Sequence, residues 1–379
     1  MKGELTWIEL SLGAFKKNIA TVRRLIGKNT LFAPCVKANA YGHGLLECAK
    51  IFIGAGADWL CVDSADEAIL LRNNNIRCPM IIMGYVGPKD LPKVVKHNVR
   101  IFLYNLKDAK ILSREALVQK KKVFVHVKID TGMNRQGISL NELSIFLQNV
   151  KKMPGLRIEG IATHFATADE LSSKRKFYYS QMQKFQKAIG ISKFILGDDF
   201  IIHCANSGAI LTDKFSSFDL VRPGIAIYGY YPSEEIKKYC LGRGIKLYPA
   251  LSFHTTIAQI KDLQKGDCVS YGCTFTAKKK MKIAVLPVGY YDGVRREESN
   301  IGYVLIRGKK AKILGRICMN IMMVDITHIP RVKVEDTATI IGRQGKEEIT
   351  ADDVAKLLGT INYEALTQLR ESVNKFIVR

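Results

Sequence analysis

Long hydrophobic runs are missing from this chain of 379 residues. No apolar stretch reaches the ~18 residues of a membrane span, so a helical membrane protein is excluded and no membrane partner is expected. No apolar segment follows Met1-Lys2-Gly3-Glu4, so no secretory signal is read there and a cytoplasmic location is expected. Paired cysteine motifs are also missing. The nine cysteines, Cys35, Cys48, Cys61, Cys78, Cys204, Cys240, Cys268, Cys273 and Cys318, are odd in number and contain no C-x-x-C. A disulfide framework and a zinc site are therefore unexpected; reduced, mostly buried thiols and no metal are expected. Acidic residues are few, 35 against 58 Lys and Arg, giving a net charge of +23. The excess is scattered in short runs such as 120–122 and 278–280, with no basic tail, no aromatic-interleaved stripe and no nucleic-acid motif. A solvated lysine-rich surface is the expectation, without a nucleic-acid partner. Its field would gather anions such as carboxylates and phosphates. Internal repeats and low-complexity segments are absent.

What is present supports a large core: 47% hydrophobic and 25% charged residues. The length suits two domains, or one barrel with an appendage. Residues 5–10 alternate like a strand and precede a helix over 12–26, with apolar spacing at Phe15, Ile19, Val22 and Ile26. Strand-then-helix units follow, with strands at 30–37, 59–63, 79–83, 100–103, 122–130, 157–163, 200–205 and 219–222. Helices are read between them, for example at 65–72, 108–119 and 174–189. This rhythm predicts an α/β fold with a (β/α)8 TIM-type barrel, whose chemistry sits at the carboxyl ends of its strands. After about residue 240 short alternating strands take over, at 249–261, 268–270, 282–288, 303–306, 311–315, 322–326 and 336–341. The expected organisation is a barrel over 11–240 and an all-β domain over 241–379. Residues 1–10 are expected to join the β domain, which also carries a short helix at 351–357 and a C-terminal tail.

The strand ends hold the chemistry-bearing residues. The apolar run Leu31, Phe32, Ala33, Cys35, Val36 gives out at Lys37, and Gly42 and Gly44 permit a tight turn beyond it. A lysine at the mouth of a buried strand is desolvated, which lowers its pKa and frees the amine to attack an aldehyde, the way a lysine holds pyridoxal 5'-phosphate (PLP). A bare strand-end lysine equally suits a side chain that snorkels to solvent. Strand five runs into Lys128-Ile129-Asp130-Thr131-Gly132-Met133-Asn134-Arg135, strand six ends at Thr163-His164-Phe165, strand seven at His203-Cys204-Ala205-Asn206-Ser207-Gly208, and strand eight at Val221-Arg222-Pro223-Gly224-Ile225. Together these supply what PLP needs. Ser207 and the Gly224 and Ile225 N–H groups suit a phosphate, His164 a place beside the pyridine ring, and Arg222 the ring nitrogen.

The string Val36-Lys37-Ala38-Asn39-Ala40-Tyr41-Gly42-His43-Gly44 resembles the cofactor-lysine motif of the alanine racemases. Thr163-His164-Phe165-Ala166, Ala205-Asn206-Ser207, Arg222-Pro223-Gly224, Ser270-Tyr271-Gly272-Cys273-Thr274-Phe275, Gly289-Tyr290-Tyr291-Asp292-Gly293, Arg316-Ile317-Cys318-Met319 and Ile361-Asn362-Tyr363-Glu364 also match that family. The resemblance implies a homodimer whose active sites are shared between chains, interconverting L- and D-alanine with PLP and supplying D-alanine for peptidoglycan. Carried over by position, it implies that Lys37 binds PLP and is one catalytic base, and that Tyr271, from the partner chain, is the other. It places Tyr41, Ser207, Gly224, Ile225 and Tyr363 on the phosphate. It places Arg135 and the Met319 N–H on the substrate carboxylate, and Tyr290 in the access channel. Lys128 matches a lysine that is carbamylated in many members. Asn320 departs from the pattern, standing where an aspartate commonly follows the Cys-Met pair. The rival readings are a serine-preferring or broad-specificity PLP racemase, a basic-amino-acid decarboxylase on the same fold, and a non-catalytic PLP-binding protein. The Tyr271 motif and the β domain disfavour the last two.

Overall fold

In the computed structural model, which describes residues 3–172 and 174–379, short apolar strands alternate with helices up to Tyr248 and a broad sheet follows. The chain divides into two units: Phe15–Ala40 with Leu45–Tyr248, and the described part of Met1–Ala14 with Tyr41–Gly44 and Pro249–Arg379.

After β1 (Thr6–Ser11), the barrel unit contains β2 (Leu31–Phe32), β3 (Leu60–Val62), β4 (Met80–Ile82), β5 (Arg100–Leu103), β6 (Val123–Lys128), β7 (Leu156–Ala162), β8 (Ile201–His203) and β9 (Leu220–Val221). β3 and β4 are buried at every position, as parallel strands covered on both faces must be. The parallel order β3-β4-β5-β6-β7-β8 and the pair β2-β9 are joined into a ring. Val36 N–H donates to the Cys61 carbonyl (2.8 Å), and Arg222 N–H donates to the Ala205 carbonyl (3.0 Å). The helices after β3 and β5 start at side-chain caps: Ser64 accepts from Glu67 N–H, and Asn105 accepts from Asp108 N–H. These caps fix where each strand ends and its loop begins, and so align the strand ends that carry the site.

The second unit holds β1 with β10 (Leu251–Thr256), β11 (Gln259–Leu263), β12 (Cys268–Val269), β13 (Phe275–Thr276), β14 (Met281–Leu286), β15 (Tyr303–Ile306), β16 (Lys309–Leu314), β17 (Met322–Asp325), β18 (Thr337–Gln344), β19 (Glu347–Ile349) and β20 (Asn374–Val378). Its main sheet runs β11-β14-β17-β16-β15-β18-β10-β1-β20, and β12-β13 form a separate ribbon. β1 pairs antiparallel with β10 and parallel with β20.

Two readings are corrected. The alternation over 249–261 is two strands, not one. At Ile257 and Ala258 the chain passes from the neighbour of β10 to that of β11, with N–H bonds to Asp336 O (3.0 Å) and Val285 O (2.9 Å). The C-terminal tail is not free: Asn362–Thr367 is a helix and β20 is an edge strand against β1. Among the described residues no helix is long and apolar enough to cross a membrane.

Candidate active site

Lys37 ends the apolar run of the first barrel strand, at the start of an unusual turn. Ala38, Asn39, Ala40 and Tyr41 all adopt positive φ, between 52° and 55°. Left-handed backbone costs a non-glycine residue roughly 1–2 kcal/mol, so neighbours must hold the turn. The Asn39 side chain accepts from Leu45 N–H (2.9 Å), and the Glu67 carboxylate accepts from Ala38 N–H (2.7 Å). The expected desolvation of Lys37 is not found. Its side chain is 38% exposed, and its Nζ pairs with the Asp63 carboxylate at 3.0 Å.

The desolvated lysine is Lys128, at the end of β6. It is buried, 4.6 Å above the Phe102 ring, and among the described residues it has no ion-pair partner. Burial, then the Arg222 and Arg135 charges, push its pKa well below the usual lysine range. Lys128, Asp130, Arg135, Thr163 and His164 line one cleft. Burial, then the charges of Lys128, Arg222, Arg135 and Lys37, hold partly buried His164 neutral.

Arg222 is buried at 3% exposure, the deepest cation of the group. Its Nη2 donates to the Thr163 and Cys204 carbonyls (2.8 and 3.3 Å), and its Nη1 meets His203 Nδ1 at 2.5 Å. Three residues not singled out in the sequence complete the chain. His203 Nε2 lies 2.8 Å from His126 Nδ1, His126 Nε2 lies 3.2 Å from Glu159, and Glu159 is bridged by both Nε and Nη2 of Arg100. With both imidazoles neutral, as their lowered pKa values require, one tautomer set gives every nitrogen a partner. Arg222 donates to His203, His203 donates to His126, and His126 donates to Glu159. Gly160 makes room for this relay, since a Cβ there would stand 2.4 Å from His126 Nδ1. A histidine in an apolar strand gives no signal of this in sequence.

At the ends of β8 and β9, Ser207 Oγ accepts from Gly224 N–H (2.9 Å) and Ala226 N–H (3.2 Å), with Ile225 between them. Ser207 therefore keeps its own O–H to donate.

In the β unit, Tyr41 and Tyr363 face one another, ring centroids 6.0 Å apart. Tyr271 is 72% exposed, at the start of the turn between β12 and β13. Ser270 anchors that turn, donating to the Arg316 carbonyl (2.6 Å) and contacting Cys318 Sγ (3.3 Å). The Arg316 guanidinium packs on Gly272, 2.9 Å from where a Cβ would be. Met319 is exposed, and its carbonyl accepts from Tyr291 N–H (2.9 Å), next to exposed Tyr290. Asn320 donates to Asp292 (3.5 Å), whose carboxylate also faces Arg370 (3.7 Å). An aspartate at 320 would set two like charges together here. The described residues contain no cluster of three or more His, Cys, Asp or Glu that could hold a metal.

The barrel-rim residues fit PLP. Lys37 offers an amine, and Ser207 a free hydroxyl proton. Arg222 commits its Nη atoms to protein and leaves Nε, without a partner among the described residues, for a ring nitrogen. A closed parallel barrel with this donor set, joined to a β domain, defines the class of barrel proteins that hold a phosphorylated pyridine aldehyde.

The comparisons narrow the class. The family model described as "Alanine racemase, N-terminal domain" matches residues 10–232, and "Alanine racemase, C-terminal domain" matches 250–377. The chain is 38% identical over 368 residues to the alanine racemase of Methanococcus maripaludis, covering 97% of each. It is 39% identical over 365 residues to that of Desulforamulus reducens, covering 96% of each. The structure of the Clostridium difficile alanine racemase superposes with TM-score 0.94 at 33% identity, over 100% of this chain and 97% of that one. The Bacillus anthracis alanine racemase, solved with bound L-Ala-P, superposes with TM-score 0.93 at 35% identity, over 99% and 95%. The chain belongs to the alanine racemase family, and its cofactor is PLP.

The relay makes a pH prediction. Burial raises the Glu159 carboxyl, but the hydrogen bonds from His126 and Arg100 outweigh it and hold the pKa at about 2, below the ordinary 4.5. Because the folded value is depressed, this stabilisation is present above pH 4.5 and is lost as pH falls through about 2. Glu159→Gln should therefore cost roughly 2 kcal/mol at neutral pH and flatten the acid limb of a denaturation–pH curve over that window. An unchanged acid limb would contradict the relay.

Proposed function

We propose that this chain interconverts L- and D-alanine with Lys37 and Tyr271 as opposed bases, in a homodimer whose sites combine the barrel of one chain with the Tyr271 loop of its partner. The observation that carries this reading is the permanently cationic, carboxylate-free setting of the buried Arg222 beside the Lys37 rim. PLP, held through its aldehyde by Lys37 until the substrate amine takes that place and frees the lysine, would supply an electron sink that acidifies the α-C–H of the amino acid. The rest is the work of the chain's own residues. Arg135 and the Met319 N–H take the substrate carboxylate, a charge-assisted pairing that fixes which face meets which base. Lys37 Nζ removes or returns the α-proton on one face, and Tyr271 Oη does so on the other. Ser207, the Ile225 N–H, Tyr41 and Tyr363 hold the phosphate, while Gly224 N–H, expected to do so, keeps its bond to Ser207 Oγ and orients that hydroxyl; His164 flanks the ring. A guanidinium keeps its proton, so Arg222 offers the ring nitrogen a hydrogen bond and does not protonate it. This restrains the ring's electron demand and favours returning the proton to the α-carbon.

The exposed apolar residues around Tyr271, namely Met319 and Ile321 at 55% and 46% exposure, suit burial against a second copy. The cytoplasm is the proposed location, in keeping with nine free cysteines, and peptidoglycan precursors are the proposed destination of D-alanine.

Lys128 is the proposed carbamylation site. Its neutral amine adds to carbon dioxide, forming the N–C bond and releasing a proton. The resulting anion would lie between Arg135 and Arg222, where an ammonium is opposed. Carbon-13 NMR after exchange with labelled bicarbonate should show one carbamate resonance that Lys128→Ala removes. A spectrum without that resonance, or one that Lys128→Ala leaves intact, rejects the modification.

The shared site has its own test. Lys37→Ala and Tyr271→Phe homodimers should each be nearly inactive. In a mixed dimer one site receives both good residues and the other neither, so co-refolding should restore up to about half of wild-type activity per mixed dimer. Mixed dimers present without recovery would show that Tyr271 does not act in trans.

A further inference from the structure

Lysines that look scattered in sequence are gathered by the fold. The helices Leu91–Lys96, Leu106–Val118, Leu140–Lys151 and Arg175–Leu196 each end just before a strand of the parallel row β5-β6-β7-β8. Their last turns therefore share the end of the barrel opposite the strand ends that hold the site. Lys96, Lys120, Lys121, Lys122, Lys151 and Lys152 are all exposed there. Hydrogen bonds join their connections into one surface. Lys121 Nζ donates to the Lys96 carbonyl, Ser113 Oγ to the Pro154 carbonyl (2.7 Å), and Lys151 Nζ to the Ile195 carbonyl (2.6 Å). The connections 97–99, 119–122 and 152–155 contain no Asp or Glu. The next one, 197–200, brings Asp198 and Asp199, already paired with Lys193 (2.9 Å) and Arg157 (2.5 Å). The field is felt locally: after burial, the Lys96 and Lys121 charges lower the His97 pKa. Three large apolar side chains stand in the open among these cations. Leu117 and Val118, just before Lys120, are 57% and 70% exposed, and Phe194, next to Ile195, is 93% exposed.

We propose that this end of the barrel docks on a bilayer leaflet of anionic phospholipid, with the lysines on the phosphates and Leu117, Val118 and Phe194 in the acyl boundary. The contact is peripheral, since among the described residues no helix is long and apolar enough to cross a membrane. Charge complementarity selects an anionic partner: six exposed lysines face a surface of like-signed phosphates, which attracts each of them within a Debye length. The apolar tips select lipid among the anionic partners. A nucleic-acid backbone gives Leu117 and Val118 nothing to bury against, whereas the headgroup–acyl boundary removes them from water. Lysine suits both demands, because its apolar stem lies along the boundary while its ammonium stays with the phosphates. Docking by this end leaves the opposite end, where Lys37 and Arg222 sit, open to substrate. The proposal goes beyond the racemase reading and does not depend on it.

The holoenzyme is sedimented with vesicles of phosphatidylcholine mixed with phosphatidylglycerol, and with vesicles of phosphatidylcholine alone. It should bind the first and not the second; equal binding, or none to either, overturns the proposal. The triple variant Lys120→Glu/Lys122→Glu/Lys152→Glu should bind the anionic vesicles at least about tenfold more weakly. Lys309→Glu/Lys312→Glu/Lys346→Glu makes the same charge change on exposed lysines of the β unit. It should weaken binding by less than about threefold, because charges beyond a Debye length are screened. Equal losses from the two triples assign the binding to net charge and overturn the docking face. In about 0.5 M salt, where the ionic attraction is screened, Val118→Ser/Phe194→Ser should bind more weakly than the unaltered protein. No difference there overturns the apolar insertion, and with it the choice of lipid. Binding of a DNA duplex through the same lysines, without vesicle binding, overturns it as well. All three variants should keep their racemase activity in the absence of vesicles, which shows that they are folded and loaded with PLP.

Discussion

A guanidinium buried in the barrel and, among the described residues, paired with no carboxylate is the constraint on which the site depends. Arg222 is 3% exposed, and its named partners are two carbonyls and a neutral imidazole. A buried cation without a counter-ion is costly. The relay through His203 and His126 to the Glu159–Arg100 pair answers this by handing hydrogen bonds outward toward the nearest anion. A carboxylate directly on Arg222 would relieve the cost. Burial first, and then this cationic field, push the pKa values of Lys128 and His164 well below their usual ranges.

The second constraint is backbone strain. Four successive residues at positive φ, only one of them an asparagine, lie directly after Lys37. Gly42 follows at φ 83°, where a Cβ would stand 2.1 Å from the Leu366 carbonyl. Strain of this kind persists only where surrounding contacts over-determine it. Here those contacts come from Asn39, Glu67 and the helix Asn362–Thr367, whose Tyr363 faces Tyr41. The turn lies directly after the lysine and ends at Tyr41, the proposed phosphate contact.

Much of this was legible in the sequence because apolar periodicity and strand-end position carry it. The strands at 59–63, 79–83 and 100–103 are found as β3, β4 and β5, since doubly buried parallel strands read as unbroken apolar runs. The strand-end residues Lys128 and His164 do line one cleft, and the Arg222 charge acts on both. What stayed hidden depends on contacts distant in sequence or on local strain. The break at Ile257 reflects a change of partner strand, which alternation does not encode. Ala38 and Ala40 give no hint of left-handed backbone. The desolvation expected at Lys37 is found at Lys128 instead. His126, Glu159 and Arg100 join the site only through tertiary hydrogen bonds. Asn320, read as a departure near the access channel, acquires a physical role only beside Asp292.

The most direct test of the account is a chiral assay in deuterium oxide. The purified, PLP-loaded protein is given L-alanine, D-alanine or L-serine separately, and the enantiomers and their α-deuterium are measured. Two opposed bases acting on alanine predict that both alanine enantiomers converge on an equal mixture carrying α-deuterium, with serine turned over more slowly. Alanine recovered unchanged in configuration, or racemisation confined to serine, would contradict it.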